Sequence, residues 1–207
     1  MKNLLFLTLL TIGTNCNYFV NKSTTWETQK IVLTDSLGSI SLSMPKEFNF
    51  FHSWVKRSDY RCGNTYLYRY QSSIYSKEQE TGWLSDAPDT LFSFTISHPI
   101  IEEYCRPFLD ITVEEIMTNI KEMLATENKH SEADTLFSQK INGKSFVIYS
   151  LSDKFHKDGS LKELIGTTYW MDIPLQFTLR LSNLNLDHDS FFSIGMSIIQ
   201  SIKLMDK

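Results

Sequence analysis

Residues 175–182 alternate Leu175, Phe177, Leu179 and Leu181 with Gln176, Thr178, Arg180 and Ser182. Side chains of a strand point to opposite faces with period two, so this segment demands a sheet with one dry and one wet face. The same period marks residues 38–45, where Ile40, Leu42 and Met44 are spaced by Ser39, Ser41 and Ser43 before Pro45 ends the run. It returns at Tyr66, Tyr68 and Tyr70, which alternate with Leu67, Arg69 and Gln71. Asn142-Gly143 separates two further strand-like runs, 135–141 and 144–152, and suits the positive φ values of a type I′ hairpin turn. Residues 146–151 are mostly apolar on both faces, which predicts an interior strand covered on each side. A further strand, 91–97, is broken at His98-Pro99. Most of the chain is therefore antiparallel sheet.

Helices fill the remainder. Thr112-Val113-Glu114-Glu115 is a capping box, with Val113, Ile116, Met117, Ile120, Met123 and Leu124 along one face behind it. Asp187 or Asp189 caps a closing helix whose apolar side is Phe191, Phe192, Ile198, Ile199 and Ile202. The spacing of Phe48, Phe51, Trp54 and Val55 predicts a short helix or turn over 47–56. Residues 57–89 are the least readable, with a polar excursion over 72–88 that contains Gly82, Trp83 and Pro88. The fold class is α+β: an antiparallel β-sheet packed by helices.

This order of elements resembles the PsbP-like (Mog-type) α/β sandwich. The local echoes are Ile40-Ser41-Leu42-Ser43-Met44-Pro45 followed by Phe48, where that family commonly carries Trp, and the closing run from Ile198 to Leu204. The resemblance implies a binding module: members include photosystem assembly subunits, small-GTPase binders and envelope lipoproteins. The family shares no catalytic motif, so no functional residue is carried over, and fold analogy alone does not assign function.

Residues 1–16, MKNLLFLTLLTIGTNC, place a positive Lys2 before an apolar run and then small polar residues and a cysteine. That is the pattern of an export signal, too short to span a bilayer permanently. The stop at Cys16 resembles a bacterial lipoprotein signal, although Asn15 stands where Gly or Ala is usual. The resemblance implies cleavage after residues 1–15 and lipidation of Cys16. Residues 16–29, polar and without periodicity, then read as a tether, and residues 30–207 as one PsbP-like domain. With no acidic run after Cys16, the expected location is the cell envelope, lipid-anchored on the periplasm-facing side of the outer membrane.

A chain of 207 residues can bury a core without metal or disulfide staples. Its 20 Lys and Arg against 24 Asp and Glu give a net charge of −4, with no basic cluster, which excludes nucleic acid as a partner. After Cys16 the remaining cysteines, Cys62 and Cys105, are an even pair available for a disulfide in an oxidising compartment or for two buried thiols.

Catalytic chemistry has no foothold. There is no G-x-S-x-G elbow, Ser-x-x-Lys, phosphate loop or dinucleotide fingerprint, and no cofactor is expected. Asp187-His188-Asp189 reads as a helix cap rather than a metal site, since adjacent ligands splay. His98 with Glu102, Glu103 and Cys105 reads as a polar loop. The aromatic strand carries more interest: Tyr66, Tyr68 and Tyr70, with Trp83, could line a groove, or could be core packing under a sheet. The leading reading is thus a non-catalytic protein- or ligand-binding lipoprotein with an envelope protein as partner. Its alternatives are an immunity-type protein neutralising a toxin and an envelope hydrolase. The hydrolase requires two or more of His98, Glu102, His156, Asp187 and His188 to converge.

Overall fold

Two tight turns set the register of the main sheet. Asn142 and Gly143, at φ 47° and 83°, join β6 (Ser131–Ile141) to β7 (Lys144–Asp153). Met171 and Asp172, at φ 51° and 61°, join β8 (Leu161–Trp170) to β9 (Ile173–Ser182). The computed structural model describes residues 25–58, 63–72, 91–100, 112–126, 131–153, 161–182 and 186–206. Within them β3 (Phe50–Lys56), β4 (Thr65–Gln71) and β5 (Leu91–Pro99) complete a seven-stranded antiparallel sheet of order β3-β4-β5-β9-β8-β7-β6. A three-stranded sheet, order β1-β2-β10, consists of β1 (Trp26–Val32), β2 (Ser39–Pro45) and β10 (Lys203–Met205). The helices are α1 (Val113–Thr126) and α2 (His188–Gln200).

The alternation read from the sequence decides which face each strand buries. Phe92, Phe94 and Ile96 of β5 and Phe177, Leu179 and Leu181 of β9 point to one side, where Ile40, Leu42 and Met44 of β2 and Phe191, Ile198 and Ile199 of α2 cover them. On the other side Val147, Tyr149 and Ile165 lie under Ile116, Met117 and Ile120 of α1. Strand β7 is thus covered on both faces, as its unbroken apolar run predicts.

Both helix starts follow their side-chain chemistry. Thr112 Oγ1 accepts the Glu115 N–H at 3.2 Å while Glu115 Oε2 accepts the Thr112 N–H at 2.7 Å. Asp187 caps α2, its Oδ1 accepting the Ser190 N–H at 2.8 Å. Gly195 is where α2 closes on the sheet: a Cβ there would run into the Leu164 side chain and stand 3.1 Å from Leu179 Cδ2.

Three expectations are corrected. Residues 47–56 are not helical: Phe48 N–H bonds the Pro45 carbonyl at 3.0 Å in a turn, and β3 follows. Phe48 and Phe51 imitate helical spacing, yet Phe48 belongs to the turn, its ring 4.7 Å from that of Phe92. The aromatic residues Phe50, Phe51 and Trp54 and the β-branched Val55 then favour an extended strand along the edge of the sheet. Strand β1 begins at Trp26, so the last residues of the segment 16–29, expected as a tether, are paired with β2. The closing helix ends at Gln200 rather than running on through Ile202. Ser201 caps it, and Asn142 Nδ2 donates to the Ile202 carbonyl at 2.6 Å as the chain turns into β10. Among the described residues no helix is long and apolar enough to cross a membrane.

Candidate functional site

The register of β4 sends Tyr66, Tyr68 and Tyr70 toward the small sheet. Tyr68 and Tyr70 are 4% and 6% exposed and form the floor of a groove of about 440 Å³. Gln29, Lys30, Ile31 and Val32 of β1 wall it on one side; Phe48, Asn49, Phe51 and Ser53 wall it on the other. Phe51, 45% exposed, leans on Tyr70 with ring centroids 4.7 Å apart. Burial raises the Tyr70 pKa, so its hydroxyl remains a neutral donor. Lys30, Tyr68 and Tyr70 are the titratable lining residues, and no carboxylate or imidazole stands among them. Among the described residues the groove offers apolar and aromatic contact with hydrogen-bonding groups.

A polar triad anchors its inner end. The Thr34 N–H donates to Tyr68 Oη at 2.9 Å, and Thr34 Oγ1 and His98 Nε2 lie 2.9 and 3.2 Å from the same oxygen. His98 Nδ1 is 2.9 Å from the Pro99 carbonyl oxygen, which can only accept, so the proton sits on Nδ1 and Nε2 is the acceptor. His98 is 1% exposed, and burial lowers its pKa against the opposing effects of the Pro99 carbonyl and Asp35. The imidazole is a neutral strut between the end of β1 and strands β4 and β5.

Among the described residues two strand edges are open here. Alternate residues of an antiparallel strand bond one neighbour, and those between turn their N–H and C=O to the other side. The bonds Leu33 N–H to Gly38 O (3.0 Å) and Lys46 N–H to Thr25 O (2.9 Å) bracket the β1–β2 ladder on odd-numbered residues of β1. The backbone of Trp26, Thr28, Lys30 and Val32 therefore faces outward, and β1 has no second neighbour among the described strands. Thr34, the next residue in that outward series, is the one whose N–H Tyr68 takes. On the main sheet, Ile100 N–H to Asn64 O (2.9 Å) and Ser72 N–H to Phe92 O (3.2 Å) bracket the β4–β5 ladder on even-numbered residues of β4. Its odd-numbered residues then bond β3 at Phe50, His52, Trp54 and Lys56, leaving the backbone of Phe51, Ser53 and Val55 directed outward.

Of the residues singled out in the sequence, Tyr68 and Tyr70 meet in the groove. Tyr66 does not: its ring lies 5.3 Å from that of His98. Trp83, Cys16, Cys62 and Cys105 lie outside the described residues, as do Glu102 and His156. His98 is in β5 with Tyr68 and Thr34, whereas Asp187 caps α2 and His188 stacks on Phe192 at 6.1 Å. The hydrolase constellation is not assembled among the described residues, nor is any group of three or more His, Cys, Asp and Glu placed to hold a metal. Hydrogen bonds to the Ser190 hydroxyl and N–H, with Lys162 nearby, lower the Asp187 pKa, which suits a cap. Sequence reading missed Thr34, Phe51 and the two open edges. The signal for β3 was there, aromatic residues on both faces of 50–55 with no acidic residue among them.

No protein-family model matches the chain, and no curated protein sequence is similar to it. Among solved structures it is similar to the solution structure of cyanobacterial PsbP (CyanoP) from Synechocystis sp. PCC 6803, with a TM-score of 0.51 at 12% identity, over 90% of this chain and 96% of that one. The fold is PsbP-like. The likeness lies in the architecture of antiparallel sheets and helices described above.

Proposed function

We propose that the chain is a non-catalytic binding module of the cell envelope, held by lipid on Cys16, that captures an extended segment of another envelope protein. The observation that carries the reading is the outward backbone of Trp26, Thr28, Lys30 and Val32 running beside a groove floored by Tyr68 and Tyr70. A peptide laid along β1 gains main-chain hydrogen bonds, and its alternate side chains meet the tyrosines. The described lining residues, apolar and aromatic with no carboxylate or imidazole among them, support binding over catalysis. The pattern of residues 1–16 supports the anchor and the periplasm-facing location.

Lys30→Pro is the sharpest test. Its N–H points away from β2, so proline keeps the β1–β2 ladder while removing a donor from the open edge. A photo-crosslinker at Gln29, on the β1 wall of the groove, should yield a defined envelope-protein adduct in cells, lost in Lys30→Pro with circular dichroism unchanged. An adduct that survives this substitution would refute strand capture at β1. The anchor is checked separately: palmitate incorporation should vanish in Cys16→Ala, and labelling that persists removes lipidation from the reading.

A further inference from the structure

The main sheet has two edges, and they are not alike. At one, β6 carries a register shift between Ala133 and Thr135, with Glu132, Asp134 and Lys140 in its sequence, features that discourage edge-to-edge pairing. At the other, β3 is seven residues, FFHSWVK, paired in unbroken register with β4, with Lys56 at its end and no proline. Phe51 and Val55 on this strand are 45% and 38% exposed. Open edges of this kind are templates for another strand.

We propose that the β3 edge pairs with β3 of a second copy of this chain, antiparallel and centred on Ser53, joining the two main sheets into one. A two-fold axis perpendicular to the sheet keeps each side chain on its own face, so every residue must meet one of equal parity. With the axis at Ser53, Phe51 meets Val55 of the other copy on the groove side, and each apolar side chain covers the other. On the opposite face His52 meets Trp54, the same pair of ring types that already stack within one strand at 4.7 Å, and Lys56 meets Phe50. The backbone agrees, because Phe51, Ser53 and Val55 are the residues whose N–H and C=O point outward. Each exchanges a pair of hydrogen bonds with its counterpart. Shifting the axis to His52 opposes Phe51 to Ser53, and shifting it to Trp54 opposes Phe51 to Arg57. Both leave the exposed apolar pair unmatched. No like charges face one another in the Ser53-centred register.

This inference concerns β3 and stands apart from capture at β1, so Lys30→Pro should leave it untouched. The test is sedimentation of the purified full chain as wild type, Ser53→Lys and Ser53→Asp. The wild type should be a dimer. Each variant alone should be a monomer, because like charges then stand opposite each other at the axis, and an equimolar mixture of the two should recover a dimer. Hydrogen exchange of the wild type, which needs no variant, should show the Phe51, Ser53 and Val55 amides protected when concentrated and exposed on dilution. A wild type that stays monomeric at all soluble concentrations overturns the proposal and leaves the edge to a strand from another protein. A Ser53→Lys chain that stays dimeric, or a mixture that fails to recover the dimer, overturns the Ser53-centred register.

Discussion

The centre of the sandwich and its β1–β3 flank follow opposite designs. Around β8, β9 and α2 the faces are sealed: Leu164, Leu179 and Ile198 are fully buried, and Gly195 lets helix and sheet approach closer than any side chain there would allow. Around β1 and β3 two strands end their sheets with backbone groups turned outward, and Phe51, Val55 and Val32 stay exposed beside a groove. Interiors close-packed in this way give stability and a unique register. An open edge gives up burial, and what it retains is the capacity to pair. The difference separates the part of the molecule that holds the fold from the part that keeps backbone groups directed outward.

Perturbations should therefore divide by region, and the largest belong to the sealed centre. Phe177→Ala removes a fully buried ring whose neighbours Phe94 and Phe146 lie 6.5 and 5.8 Å away, and should cost about 3–5 kcal/mol by urea denaturation. Gly195→Ala adds one methyl against Leu164 and should cost about 1–3 kcal/mol, since α2 must lift from the sheet to admit it. A neutral outcome for either would dissolve the distinction between centre and flank. Tyr68→Phe probes the seam between them. It strands the Thr34 N–H and a hydroxyl partner of His98, and should cost about 1–2 kcal/mol while leaving the groove's shape intact.

The sheet away from the β1–β3 flank, with its helices, was legible in the sequence because its information is local. Asn142-Gly143 declares its turn, Leu175–Leu181 alternate, and Thr112, Glu115 and Asp187 cap helices within a few residues of themselves. The groove was legible only in part. Tyr68 and Tyr70 announced a face, but their walls come from β1 and β3, and Thr34 reaches Tyr68 and His98 across 34 and 64 residues. β3 was misread because the spacing of Phe48, Phe51 and Trp54 fits a helix when the turn at Pro45–Phe48 is unknown. Open edges leave no periodic signature. They become visible only when the ladders on their other side are assigned.

The smallest effect tests the seam through pH. His98 is held neutral, its folded pKa below the usual 6.5 chiefly because burial penalises the charged form. The unfolded chain, with an ordinary imidazole, then binds more protons than the folded one in the window from about pH 6.5 down to that lowered value. Stability should fall as pH drops through this window and be independent of His98 above it. His98→Gln offers an uncharged acceptor toward Tyr68 and should flatten this part of the curve when denaturation midpoints are compared across the window. Asp35 moderates the effect, since its charge favours the imidazolium. If wild type and His98→Gln show the same slope, the imidazole is not a neutral strut. The end of β1 would then be held on β4 by Tyr68 and Thr34 alone, through one hydroxyl rather than a triad.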